Sequence, residues 1–354
     1  MRALLAFAVL SISLAGSAIA APAPRDLAAE IGKLLAEEKV PSVSVARIRH
    51  GKLVYAAAFG EQSAGVPATA ATLYNIASLT KPISAEVVLR LASEGKIGLD
   101  EPMSAYWVDP DLVGDPRADR LTPRLALSHR TGFPNWRRKS PLTFIHEPGE
   151  WGYSGEGYQY VARFTEAKAG SDLESLAERL VFQPSGMLST AYTEHSWFAG
   201  RVAVPADAQG KALEPSFTKT PIAADLVYTT ASDYARFMTE VMKDSHLSKE
   251  IARQRRTVQT DLRRIWCKDT ASPACPDRIG MGLGWEVLGF GPHVYLTHDG
   301  NDEGVKTFAY LSPTSGNGLV LLMNGENGMK IVLRLLALFG TDAEFLTYFS
   351  DQAT

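Results

Sequence analysis

Cysteine is scarce in this chain. Its 354 residues include only Cys267 and Cys275. Two are too few for a small disulfide scaffold and, with no histidine beside them, too few for a four-ligand zinc site. Neither sign of charge is in excess: 36 Lys and Arg stand against 39 Asp and Glu, a formal net charge of −3. That excludes the basic field with which nucleic-acid binders offset phosphates, so no nucleic-acid partner is expected. The one basic cluster, Arg253, Arg255, Arg256, Arg263 and Arg264, reads as a solvated helix face. Beyond residue 20 no long apolar run occurs, so the mature chain should be soluble, with no stable membrane anchor. Glycine (29) and proline (20) are ordinary for this length, and no repeat or low-complexity stretch is present. What remains is a globular composition, 45% hydrophobic, sufficient for one large domain or two that share a core.

Residues 1–20, MRALLAFAVLSISLAGSAIA, have the layout of a cleaved secretory signal. One charge, Arg2, precedes an apolar run from Ala3 to Leu14, and small residues close it at Ala18-Ile19-Ala20. Cleavage after Ala20 would deliver a periplasmic or secreted protein. In such an oxidising compartment Cys267 and Cys275, both in the polar loop CKDTASPAC, are expected to form a disulfide.

Periodicity organises the rest. Leu27, Ile31, Leu34 and Leu35 follow helical spacing up to Pro41. SVSVARIRHGKLVYAAAFG reads as strand, tight turn at His50-Gly51, strand. Ser78 to Glu94 is helical and stops at Gly95. Helical stretches at 157–168 and 171–182 follow, then ASDYARFMTEVMK, with Thr230 and Asp233 as a capping box. MGLGWEVLGF, HVYLTH, VKTFAYLS and GLVLLMN are four strand-like runs, and helical runs at 328–338 and 341–350 finish the chain. A hairpin at the front and a strand cluster at the back predict one antiparallel sheet built from both ends. The expected division is an α/β domain from 21–95 and 226–354, with a mostly helical insertion at 96–225.

Ser-x-x-Lys occurs three times, at Ser78–Lys81, Ser93–Lys96 and Ser216–Lys219. Ser93 closes a helix, and Ser216 lies in a loop between prolines. Only Ser78 follows an extended run and opens a helix. Positions i and i+3 share a helix face, so Lys81 should stand one turn from the Ser78 hydroxyl. A desolvated lysine can activate such a serine, and a helix N-terminus favours a developing oxyanion. The alternative for this pair alone is a Ser N-cap followed by a solvated Lys. Two further segments bear on the choice: Tyr153-Ser154-Gly155 in PGEWGYSGEGYQY and His298-Asp299-Gly300 in YLTHDGNDEGVKTFAYL.

In that order, the three elements resemble those of the class C β-lactamase and D-alanyl-D-alanine carboxypeptidase superfamily, which includes esterases. LALSHRTGFPNW and TTASDYARFM resemble further segments of that family. The resemblance implies an antiparallel sheet flanked by helices, with a helical insertion and a cleft between them. It implies acyl transfer to Ser78, with Lys81 and Tyr153 managing the proton. It implies an oxyanion hole from the backbone N–H groups of Ser78 and Asn301, with Gly300 admitting substrate to the strand edge. No metal or organic cofactor is expected, and the partner is a small-molecule substrate: a β-lactam, an ester or a D-amino-acid peptide. Gly155 departs from the family, which often places a substrate-binding Asn there; this favours an ester. His298 stands where many relatives carry Lys. It is expected to be neutral at pH 7, to titrate from an ordinary value near 6.5 and to donate a hydrogen bond to Tyr153 or substrate, with Asp299 facing away.

Other chemistries fit less well. A nucleophile elbow would need G-x-S-x-G, which Gly152-Tyr153-Ser154-Gly155-Glu156 misses by one place. His129, His146, His293 and His298 form no H-E-x-x-H zinc motif. A penicillin-recognising module that acylates without turnover remains as the non-enzymatic alternative.

Overall fold

The computed structural model describes residues 24–353. The leader read in residues 1–20 lies outside them. Helix α1 (Pro24–Glu38) buries Ile31, Leu34 and Leu35, as their spacing predicts. Strands β1 (Ser42–Arg49) and β2 (Lys52–Ser63) form a hairpin. At its tip His50 and Gly51 both adopt positive φ, the backbone a tight two-residue turn requires. Strand β3 (Val66–Pro67) edges the sheet, and β4 (Tyr74–Asn75) leads into a 3₁₀ turn, Ala77–Leu79. Ser78 therefore lies in a turn just ahead of helix α2 (Thr80–Ser93), not inside the helix.

Helices α3 (Pro123–Leu127), α4 (Gly155–Ala169), α5 (Leu173–Ala177) and α6 (Gln183–Ser185) follow, a π-helical turn at Glu178–Phe182 joining the last two. Strand β5 (Tyr228–Thr229) pairs with β4. Helix α7 (Ala231–Met242) starts on Thr230, whose Oγ1 accepts the Asp233 N–H at 3.1 Å. The Asp233 carboxylate turns instead to the Ser189 N–H and Arg236, so only half of the capping box forms.

After α8 (Lys249–Arg255), β6 (Thr260–Asp261) and α9 (Arg263–Trp266) come five strands. These are β7 (Arg278–Met281), β8 (Glu286–Phe290), β9 (His293–Asp302), β10 (Val305–Leu311) and β11 (Gly318–Met323). MGLGWEVLGF is thus no single strand: it is broken at Gly282–Gly284, where Gly284 has φ +87°. Helices α10 (Met329–Leu338) and α11 (Ala343–Ala353) end the described chain.

The nine-stranded sheet runs β3-β2-β1-β11-β10-β9-β8-β7-β6, and every neighbouring pair is antiparallel. Strands from the two ends of the chain meet within it, where Val43 of β1 stands opposite Met323 of β11. One face packs under α1, α10 and α11 through Val43, Phe308, Tyr310, Leu335 and Phe345. The other packs against α2, α4 and α7 through Ile83, Val87, Tyr158, Phe237 and Leu296. Cys267 and Cys275 form the expected disulfide and join the first of these clusters.

The basic cluster is not a uniformly solvated face. Arg255 is fully buried; it bonds Glu86 of α2, the Val241 carbonyl and Asp244. Arg256 shares Asp244. A guanidinium enters a core only against carboxylates, and Glu86 lies too far along the chain for local pattern to reveal it.

Candidate active site

The 3₁₀ turn is built for close approach. Ala77 has φ +46°, and its N–H is held by Asn75 Oδ1 at 2.8 Å. Ala77 and Leu79 are buried; Ser78 between them is only partly so. Thr307 Oγ1 of β10 donates to the Ile76 carbonyl at 2.9 Å and fastens the turn to the sheet. Gly300 makes this contact sterically possible. A Cβ there would lie 2.1 Å from Thr307 Oγ1, 2.5 Å from the Ile76 oxygen and 3.1 Å from Ala77 Cβ.

The same stretch of β9 has an open edge. Strand β8 accompanies it only to Thr297, whereas β10 pairs with it from Leu296 to Asp302. Backbone groups in an antiparallel ladder address alternate edges. The registers on both sides turn His298, Gly300 and Asp302 toward β10, so the Asn301 N–H faces the open edge beside the Ser78 turn.

Lys81 is fully buried, and its Nζ donates to Ser78 Oγ at 2.8 Å and to the Ala224 carbonyl at 3.0 Å. The Tyr153 phenol lies near enough to the same serine to interact with it, and Nζ lies 4.9 Å from the Tyr153 ring centroid. Burial lowers the Lys81 amine to about 8, against the opposing pull of Asp225 and Asp299. Burial raises the Tyr153 phenol, only partly offset by its interaction with Ser78. Tyr153 thus stays a phenol, and of the two groups Lys81 more readily gives up its proton. The other two Ser-x-x-Lys pairs make no comparable contact: Ser93 Oγ donates to the Leu89 carbonyl, and Lys96 pairs with Glu94. Ser154 is buried as the N-cap of α4, donating to the Pro134 carbonyl and accepting the Gly157 N–H.

His298 reaches the site, its ring centroid 6.3 Å from that of Tyr153. Its hydrogen bonding differs from the expectation. Nδ1 donates to the Asp299 carbonyl at 2.6 Å, which leaves Nε2 as a buried, unpartnered acceptor and not a donor. Burial and Lys81 also hold the imidazole down at about 4, despite Asp299. The Asp299 side chain faces away as predicted, sharing a sheet face with its cross-strand neighbour Phe308 under α11.

Gly155 is buried at the first turn of α4, and its N–H is taken by Asn135 Oδ1 at 2.9 Å. The six-membered ring of Trp136 lies over it: a Cβ there would meet the indole at 2.9 Å and the Asn135 carbonyl at 3.0 Å. The space an asparagine would enter is already filled. Three residues escaped the sequence reading. Asp225, partly buried and raised to about 6 by burial and by Asp302, interacts with Lys81. Trp136 covers Gly155. His129, weighed only as a zinc ligand, stacks on Tyr153 with ring centroids 4.2 Å apart.

A buried amine bonded to a serine, with a phenol close by and an open strand edge beside them, can carry out acyl transfer. Comparison with known proteins agrees in fold and family. Esterase EstB of Burkholderia gladioli is 29% identical over 196 residues, 46% of this chain and 49% of its own length. The chain therefore spans about half the length of that relative. The fold matches D-alanine carboxypeptidase AmpC from Burkholderia cenocepacia at TM-score 0.72 and 21% identity, covering 88% of this chain and 98% of the other. It matches a class C beta lactamase from Rhodobacter sphaeroides at TM-score 0.69 and 18% identity, covering 93% and 98%. The family model for Beta-lactamase matches residues 27–338, nearly the whole described chain, and the protein belongs to that family.

Proposed function

We propose that the protein is a serine hydrolase that forms an acyl-enzyme on Ser78 and prefers esters. The observation that carries the reading is the bond from buried Lys81 Nζ to Ser78 Oγ, at 2.8 Å, with the Tyr153 ring 4.9 Å from the same Nζ. Neutral Lys81 takes the serine proton as Oγ attacks the acyl carbon. The resulting oxyanion is met by the Ser78 and Asn301 N–H groups. As the tetrahedral species collapses, the leaving oxygen receives a proton from the Tyr153 phenol, which regains one from the Lys81 ammonium. Water then repeats the sequence on the acyl-enzyme and releases the acid.

The ester preference rests on what faces the substrate. At position 155 no side-chain amide is available to grip an acylamino group, and Trp136 fills that space with an apolar surface. The imidazole of His298 stays neutral near pH 7, so it offers a substrate carboxylate no cation of the kind a lysine would. EstB is named an esterase, which supports the same choice. Residues 1–20 and the Cys267–Cys275 bridge support an exported protein, cleaved after Ala20.

The test compares kcat/KM for a short-chain aryl ester, a chromogenic cephalosporin and a D-Ala-D-Ala peptide. The ester should lead by tenfold or more. A cephalosporin or peptide ahead of the ester would contradict the preference. Acylation that stops at one equivalent on every substrate would make the protein a binding module instead.

A further inference from the structure

Three of the contacts His129 makes converge on Tyr153. Its carbonyl accepts the Gly152 N–H at 2.9 Å. Its Nδ1 accepts the Ser154 N–H at 3.0 Å. Its ring lies on the Tyr153 ring at 4.2 Å and 25°. The residues on both sides of Tyr153 are thus tied to one histidine, which also supports the phenol from beneath. His129 is fully buried and sits at φ +56°, a backbone that Gly or Asn adopts with less strain. Turn geometry alone does not call for an imidazole. Only an imidazole supplies both an acceptor at Nδ1 and a flat face for the phenol. A backbone N–H can only donate, so Nδ1 carries no proton and the neutral ring bears its hydrogen on Nε2. That nitrogen is buried and unpartnered.

We propose that His129 is a positioning residue that clamps Tyr153, so that the phenol stays beside Ser78. The proposal rests on the reading of Tyr153 as the proton-handling partner of Ser78. His129→Asn keeps an acceptor close to the Nδ1 position and suits positive φ, while removing the ring face. In the otherwise unaltered protein it should lower kcat for an aryl ester about tenfold, with KM within twofold. In a Tyr153→Phe background it should lower kcat less than twofold, because the hydroxyl it positions is already gone. Equal losses in both backgrounds would mean a general structural role and would overturn the proposal. A second measurement needs no variant and no turnover. The ¹⁵N shifts of His129 should report a proton on Nε2 and none on Nδ1; the opposite tautomer would overturn the clamp. Failure of Ser78 to acylate would instead overturn the hydrolase reading, and the nitrogen shifts would still decide the clamp.

Discussion

Burial moves Lys81 and Tyr153 in opposite directions, and this fixes the pH dependence. The amine is lowered to about 8, while the phenol is raised and stays protonated. Activity that needs neutral Lys81 should fall as pH drops through 8, one decade in kcat/KM per pH unit. His298, held down at about 4, adds no second break until the pH nears that value. Apart from any inflection near 6 from Asp225, which interacts with Lys81, the pH–rate profile on a neutral ester should therefore be the same in wild type and His298→Gln from about 7 to 5. A break near 6.5 that is lost in His298→Gln would show His298 titrating at its ordinary value. At this scale the sequence was partly legible. Ser78 and Lys81 are three residues apart on one turn, so spacing alone put them together. Tyr153 was found through family resemblance, since nothing local ties it to Ser78. His129 was missed because its partner lies across a loop, and Trp136 because its role follows from a missing side chain at Gly155. The donor role expected of His298 failed for a local reason, the nearby Asp299 carbonyl that takes its Nδ1 proton.

Between elements, the site depends on how closely β9 meets the 3₁₀ turn. Gly300→Ala places a methyl against Thr307 Oγ1 and the Ile76 carbonyl, and neither can withdraw without freeing the turn. Overpacking of this kind costs about 1–3 kcal/mol. The variant should show that loss in urea denaturation and should acylate Ser78 far more slowly. Unchanged stability and acylation would mean that the turn does not rest on this strand. The long strands and helices were legible because their periodicity is local. That the front hairpin and the back strands share one sheet was legible too; that β1 meets β11 in particular was not, and β4 and β5 are two residues each, too short to show a period. Arg255 was misread for a similar reason, its partner Glu86 lying on another helix.

Across the whole molecule, the sheet separates the site from the disulfide. Cys267 and Cys275 pack with the cluster beneath α1, α10 and α11, whereas Lys81, Tyr153 and His298 gather on the opposite face. The bridge closes a sequence separation of 8, which limits its contribution to roughly 2–3 kcal/mol of loop entropy. Reduction should lower stability by about that amount and leave kcat/KM for the ester within twofold at 25 °C. A large loss of activity at unchanged fold would mean that the two faces are coupled.

The central claim is that Ser78 is acylated because Lys81 and Tyr153 share its proton. Its most direct test is intact mass and peptide mapping after brief reaction with a fluorophosphonate or an activated aryl ester. One equivalent should appear on Ser78 and none on Ser78→Ala. The same adduct should form on the order of a hundredfold more slowly in Lys81→Ala and in Tyr153→Phe. A label on Ser154 or any other serine, or undiminished labelling of Ser78 in both variants, would contradict the account.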